Sequence, residues 1–294
     1  MDRELLRAFV AVAETEGFSA AAGMLNRTQS AVSLQIKRLE ERLGAALFHR
    51  TSRRVALTEK GARLLPFARR ILHLEEQATA AVAPEPEREV IRFGLTEEHA
   101  AAYLPQILDV MARRHPEAQI RIICGISSAL VQDFAAGKLD LVLAVRHAPV
   151  QTGRILGVEP MIWVAKDDFD LPREAPLPLV LNPEGCIFRA HALAAIGGMG
   201  RTWCEPYVSG SPTGVNVAVQ SGLALTVKTP RSIPPGCVDT GERLGLPQLG
   251  LAEVEIHVSP AQIGDAFQTL VEAVDRLCRE GSRAEDWPCA RAVT

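Results

Sequence analysis

Along the first sixty residues apolar side chains recur at helical spacing. Leu5, Leu6, Phe9, Val10 and Val12 outline one apolar face that closes near Gly17. Ser19 is placed to cap a short alanine-rich helix, Ala20 to Leu25. Asn26 follows, and asparagine tolerates the left-handed backbone of a sharp inter-helix turn. In TQSAVSLQIKRLEERLG, residues 28–44, Val32, Ile36, Leu39 and Leu43 recur at i, i+4, i+7 and i+11. That spacing predicts one buried stripe, stopped by Gly44. LFHRTSRRVALTEKG then predicts two short strands around Thr51–Arg53, with Thr58 capping a long helix from Glu59 to about Ala83. Leu64, Leu65, Phe67, Ala68, Ile71, Leu72 and Leu74 make that helix apolar over more than one face, so a helix from a second subunit is its expected cover. Pro66 should bend it, and PEPERE, residues 84–89, reads as a linker.

From Val90 the pattern changes to short β-rich runs: VIRFGL, AQIRIIC, LDLVLAV, MIWVA, PLVL and LALTV. Helical segments such as AAYLPQILDVMARRH, SSALVQDFAAG and GVNVAVQSG separate several of them, which predicts parallel sheets with helices on both faces. Ala261 to Glu280 predicts a last helix with Phe267, Leu270, Val271, Val274 and Leu277 facing inward, followed by a frayed tail.

A length of 294 residues favours two domains. No apolar run is long enough to span a bilayer, and the N-terminus does not read as a secretory signal, so the expected location is the cytoplasm. Six cysteines occur without a C-x-x-C pair or zinc spacing, and neither a metal nor another cofactor is expected. Charge changes the picture most. The net charge is −3, yet residues 27–63 hold nine basic side chains against three acidic ones. A local basic patch is the footprint of a polyanion.

Helix, tight turn, helix is the arrangement that lays a second helix in the major groove of DNA. Opposite the apolar stripe stand Gln29, Ser33 and Lys37, flanked by Ser30 and Leu34 and preceded by Thr28. Glutamine can pair with adenine, serine donates or accepts, lysine reaches guanine, and an apolar chain meets a thymine methyl. Lys37, Arg38 and Arg42 suit phosphates, and Arg50, Arg53 and Arg54 would flank the duplex from the strand turn. Any amphipathic helix in a small bundle would share this spacing; it is the succession of Asn turn, polar-then-basic helix and Arg-rich hairpin that points to double-stranded DNA.

FSAAAGMLNRTQSAVSLQIKRLEERLGAALFHRTSRRVALTEKGARLL resembles the DNA-binding region of LysR-type transcriptional regulators. RFGLTEEHAAAYLPQIL, ARRHPEAQIRI, DFAAGKLDLVLA and GVNVAVQSGLALTV follow that family's ligand-sensing half in order. The resemblance implies a multidomain chain: an α winged helix-turn-helix (1–58), a dimerising linker helix and hinge (59–88), and an α/β two-lobed, periplasmic-binding-protein-like effector domain (89–294). Lobe I would comprise 89–160 and 266–294, and lobe II 161–265. It implies operator binding as a dimer or dimer of dimers, control by a small-molecule effector, RNA polymerase as a further partner, and no enzymatic activity. Carried over by position, Gln29, Ser30, Ser33 and Lys37 fall on the recognition helix and Arg53 on the wing. Leu34 stands where many members have arginine.

In such a domain the ligand sits between lobes at strand ends. Candidates are Thr96, Glu97 and Glu98 after the first strand, Ser127 and Ser128 at a helix start, and Arg146 beside His147. PEGCIFR (Cys186, Arg189) and SGSPTG (Ser209, Ser211) would face them from the second lobe. The residues alone leave alternatives open. Ser127 could cap its own helix, and the two glutamates could serve only a helix end. Glu98 suggests an amine-bearing effector, whereas Arg146 and Arg189 suggest an anion. Cys186 raises two further ideas, a thiol-based redox switch or a Cys186–His191 nucleophile; no orienting acid or oxyanion hole accompanies the latter.

Overall fold

The structure, a computed structural model, describes residues 2–50, 55–80, 90–147, 153–172, 175–260, 262 and 264–281. Arg53 and Arg54, the PEPERE segment and the expected tail lie outside them. Two compact units compose the chain, one of Met1–Glu89 with Gln132–Leu139 and the other of Val90–Val131 with Asp140–Thr294.

The first unit runs α1 (Arg3–Thr15), α2 (Phe18–Met24), α3 (Gln29–Leu43), β1 (Phe48–Arg50), β2 (Val55–Leu57) and α4 (Glu59–Ala80). Leu6, Phe9 and Val12 of α1 meet Val32, Ile36 and Leu39 of α3 in a core from which water is excluded. The expected Ser19 cap does not form. Helix α2 starts at Phe18 with Gly17 as its cap, because Phe18 lies edge-on to Phe48 at 6.1 Å and is held in that helix. Asn26 takes the left-handed φ of 51°, so the α2–α3 turn is the tight one its sequence predicts. Gly44 ends α3 at φ 63°. Leu43, expected in the buried stripe, is instead 40% exposed. The chain reverses at Gly44, and Leu47 is buried in its stead, its N–H donated to Glu40 Oε1 at 2.8 Å. Thr58 caps α4 as predicted, accepting from Gly61 N at 3.0 Å. A Cβ at Gly61 would stand 2.2 Å from the Leu47 carbonyl, so only glycine permits this close approach. Along α4, Phe67, Ile71 and Leu74 remain exposed, the uncovered apolar face anticipated from the sequence.

The second unit opens with β3 (Val90–Leu95), α5 (Glu97–Arg114), β4 (Gln119–Cys124), α6 (Ser127–Ala135), β5 (Leu141–Val145) and β6 (Arg154–Pro160). It continues through β7 (Ile162–Lys166), β8 (Leu177–Pro178), α7 (Ile187–Gly197), β9 (Trp203–Cys204), α8 (Pro212–Gln220) and β10 (Thr226–Lys228). A short 3₁₀ turn (Pro230–Ser232), β11 (Cys237–Asp239), β12 (Leu251–Val258) and α9 (Asp265–Gly281) complete it. The first lobe is a five-stranded sheet in the order β4-β3-β5-β12-β6. Ile91, Phe93 and Leu95 of β3 meet Ile107 of α5 and Phe267, Leu270 and Val274 of α9. The second lobe holds the antiparallel sheet β10-β7-β11 and the β8–β9 pair, with Trp163, Leu179, Ile196 and Leu225 in its core.

The expectation of parallel sheets therefore needs correction. Parallel neighbours require crossover connections. Helices α5 and α6 supply them for β3, β4 and β5, which are parallel. Strand β12 re-enters from the second lobe and runs antiparallel to both β5 and β6. The chain leaves the first sheet at Pro160 and returns at Gly250, where Met161 N donates to Gly250 O at 3.0 Å. Two adjacent strand crossings thus join the lobes. The last helix begins at Asp265 rather than Ala261.

Candidate nucleic-acid interface and ligand cleft

Helix α3 presents two unlike faces. Thr28 caps it, its Oγ1 accepting from Ala31 N at 3.2 Å and lying 3.1 Å from Ser30 Oγ. With Val32, Ile36 and Leu39 wholly buried, rigid-body geometry sends Gln29, Ser30, Leu34, Lys37 and Arg38 outward, all exposed, with Ser33 half-buried beside them. Leu34 is 49% exposed, an apolar side chain with no core to join. Lys37 lies 3.7 Å from Glu41, a surface pair of small energetic weight that leaves its ammonium available. The helix is braced from behind: Glu4 of α1 accepts from Gln35 Nε2 at 3.2 Å and Arg27 at 3.4 Å. Such bracing fixes the angle at which the polar face projects. Arg50 closes β1, and the antiparallel β1–β2 pair supplies the predicted hairpin stem.

In the second unit a cavity of about 180 Å³ opens between the lobes. Thr96, Glu97, Glu98 and Ser127 line it from the first lobe, and Asn182, Cys186, Phe188, Gly210 and Pro212 from the second. Five of the ten sequence candidates thus converge: Thr96, Glu97, Glu98, Ser127 and Cys186. The rest are engaged at its margin. Arg146 is paired with Glu253 at 2.5 Å. Arg189 donates twice to Glu205, at 2.7 and 3.0 Å. Ser209 Oγ accepts from Ser211 N at 3.1 Å, and Ser211 caps α8 by accepting from Thr213 N at 3.2 Å. A Cβ at Gly185 would stand 3.3 Å from Ser128 Oγ, which places Ser128 against the second-lobe loop.

Two open questions close here. Ser127 does not cap its own helix; its Oγ accepts from Val145 N at 2.9 Å and ties α6 to the end of β5. The glutamates do more than favour the α5 N-terminus, since each takes a partner from the other lobe. Thr213 Oγ1 donates to Glu97 Oε2 at 3.2 Å, and Lys228 Nζ donates to Glu98 Oε1 at 3.2 Å. Lys228 is 1% exposed, so burial makes that pair expensive to break.

Behind this cavity lies a small polar recess that shares Thr96, Glu98 and Phe188 with it and adds His99, Tyr103, Glu159 and Arg231. Arg231 Nε donates to Glu159 Oε1 at 2.7 Å. His99 is buried, and its Nδ1 has no hydrogen-bond partner among the described residues. Desolvation pulls its pKa below the ordinary 6.5 against the opposing pull of Glu159 and Glu98. None of Asn182, Lys228, His99, Glu159 and Arg231 stood among the sequence candidates. The signal was present but faint: Asn182 ends the apolar run PLVL, and Lys228 ends LALTV.

The cleft thiol, Cys186, is poised against reactivity. Burial pushes the Cys186 thiol up, despite hydrogen bonds from the Arg189 and Phe188 backbone and from Asn182. Burial likewise raises Cys124, Cys237 and Cys278, the last to about 12. A nucleophilic or peroxide-reactive thiolate requires the opposite shift.

Comparison with known proteins identifies both units. Residues 4–62 match the model described as bacterial regulatory helix-turn-helix protein, lysR family, and residues 84–258 match the LysR substrate binding domain. The regulator PecT of Dickeya dadantii (strain 3937) is 34% identical over 288 residues, covering 98% of this chain and 90% of its own. DgdR of Burkholderia cepacia is 32% identical over 277 residues, covering 93% and 94%. The crystal structure of ArgP from Mycobacterium tuberculosis shares the fold with a TM-score of 0.71 at 18% identity, over 95% of this chain and 97% of that one. No described helix is long and apolar enough to cross a membrane. With a helix-turn-helix unit at one end and a two-lobed α/β unit enclosing a cleft at the other, the chain belongs to the LysR family of DNA-binding transcriptional regulators with an effector-binding domain.

Proposed function

We propose that α3 reads operator base edges with Gln29, Ser30 and Ser33, that Leu34 meets a thymine methyl, and that Thr28, Lys37 and Arg38 hold the phosphates. Arg50, Arg53 and Arg54 act from the wing. The observation that carries this reading is the α3 face itself: a row of exposed polar and basic side chains held rigid by a fully buried stripe behind it. Polar positions specify and basic positions anchor. A ligand bound in the cavity at Thr96, Glu97, Glu98, Ser127 and Cys186 controls operator affinity, with Ser128, Arg146, Arg189, Ser209 and Ser211 shaping the surrounding loops. The exposed Phe67, Ile71 and Leu74 of α4 pair with a second copy, and dimers associate further on a dyad-symmetric operator. The regulator works in the cytoplasm, contacts RNA polymerase and performs no catalysis.

Footprinting on fragments of the adjoining intergenic DNA tests the helix assignment. Gln29→Ala and Ser33→Ala are expected to lose about 1–3 kcal/mol of discrimination at single base pairs. Lys37→Ala should weaken all sequences alike and lower the salt slope by about one. Retained sequence discrimination in both polar variants would place the reading face elsewhere.

A further inference from the structure

The cavity between the lobes is chemically one-sided. Among the described residues that line it there is no arginine, lysine or histidine, while Glu97 and Glu98 both do. The two arginines near its margin are already committed to carboxylates, Arg146 to Glu253 and Arg189 to Glu205. Lys228 neutralises one of the lining glutamates, and a hydroxyl of Thr213, which carries no charge, is the partner of the other. The wall therefore keeps a surplus negative charge. A second, independent feature points the same way. Asn182 lines the cavity, is 6% exposed, and its Oδ1 is a buried acceptor with no partner among the described residues. A buried acceptor left unpaired carries a desolvation penalty that a ligand donor would relieve.

We propose that the cleft takes a small ligand bearing a primary ammonium group, seated between the Glu97 carboxylate and Asn182 Oδ1. The ammonium supplies three donors and one positive charge, matching an uncompensated carboxylate and an unsatisfied amide oxygen at once. A ligand carboxylate would enter a wall of its own sign with no lining cation to meet it. The space is about 180 Å³, so the ligand is compact. This rests on the reading of the cleft as the effector site and narrows it to one chemical class.

The test uses the full-length chain and three probes of one shape: isobutylamine, isobutanol and isobutyrate. Calorimetry and thermal shift should show the amine binding at least about ten-fold more tightly than the alcohol, and no binding of isobutyrate; that factor is about 1.4 kcal/mol. Glu97→Gln, at a half-exposed position, should weaken the amine about ten-fold and leave the alcohol unchanged. Asn182→Leu should weaken the amine as well, with its ligand-free melting curve reporting whether it folds; if it does not, the Glu97→Gln result decides. Isobutyrate binding as tightly as the amine, no binding of the amine at millimolar concentration, or amine binding indifferent to Glu97→Gln would each overturn the proposal. Gel retardation in parallel separates it from the reading beneath it. Amine binding that leaves DNA affinity unchanged upholds the ligand class and removes effector control. Isobutyrate that binds and alters retardation does the reverse.

Discussion

Helix α3, proposed to read DNA, and the cleft between the lobes are built on opposite plans. In α3 every proposed contact belongs to one helix, so a single periodicity decides what is buried and what projects. In the cleft the partners come from distant parts of the chain: Glu97 and Thr213 are 116 residues apart, Glu98 and Lys228 130. The helix gains precision from a core behind it that has no polar atoms to satisfy. The cleft gains it from buried charges that must satisfy one another. A surface reader can therefore change one side chain at little structural cost, whereas a cleft residue carries stability and recognition together.

The largest effect that would sharpen this contrast is expected at Lys228. Replacing it by methionine strands Glu98 against a desolvated wall, and about 3–5 kcal/mol should be lost from the sensing unit. Urea unfolding followed by Trp163 fluorescence, in the second-lobe core, measures it. A loss below about 1 kcal/mol would show that the pair is not a structural tie.

Next comes a pair of leucine-class positions on α3 that share one apparent stripe. Ile36→Ala, at 0% exposure, should cost about 2–5 kcal/mol. Leu43→Ala, at 40% exposure, should cost about 0.5 kcal/mol or less. Equal costs by thermal melting would restore Leu43 to the core.

The pH-dependent effect belongs to His99. Because its folded-state pKa lies below the ordinary 6.5, the unfolded chain takes up the proton first as the pH falls. The stabilisation is thus present above about pH 6.5 and is lost as pH drops toward the folded-state pKa, at up to about 1.4 kcal/mol per pH unit. His99→Gln should flatten that part of the stability–pH curve between pH 7 and 5. An unchanged slope would assign the acid sensitivity to another group.

The same contrast explains what could be read from the sequence. The helix-turn-helix was legible because each of its signals is local: Asn26 at the turn, Thr28 and Gly44 at the ends of α3, a stripe at i, i+4 and i+7. Leu43 misled because the 3.6-residue pattern continues through the last turn after the core beneath it has ended. For the cleft, the loops bearing Thr96, Glu97, Glu98, Ser127 and Cys186 were legible as strand-to-helix junctions. Asn182 and Lys228 were not, because their meaning comes from partners that only the tertiary fold supplies. The antiparallel entry of β12 was equally hidden, since strand–helix alternation describes local order and says nothing of a strand that returns from another lobe.

That return has a consequence for synthesis. Strand β12 lies inside the first lobe's sheet, between β5 and β6, and α9 packs on its core, so that lobe cannot close until β12 and α9 have left the ribosome. The helices of the helix-turn-helix unit are finished by Ala80. A nascent or prematurely terminated chain would hold the reading head with nothing yet able to govern it.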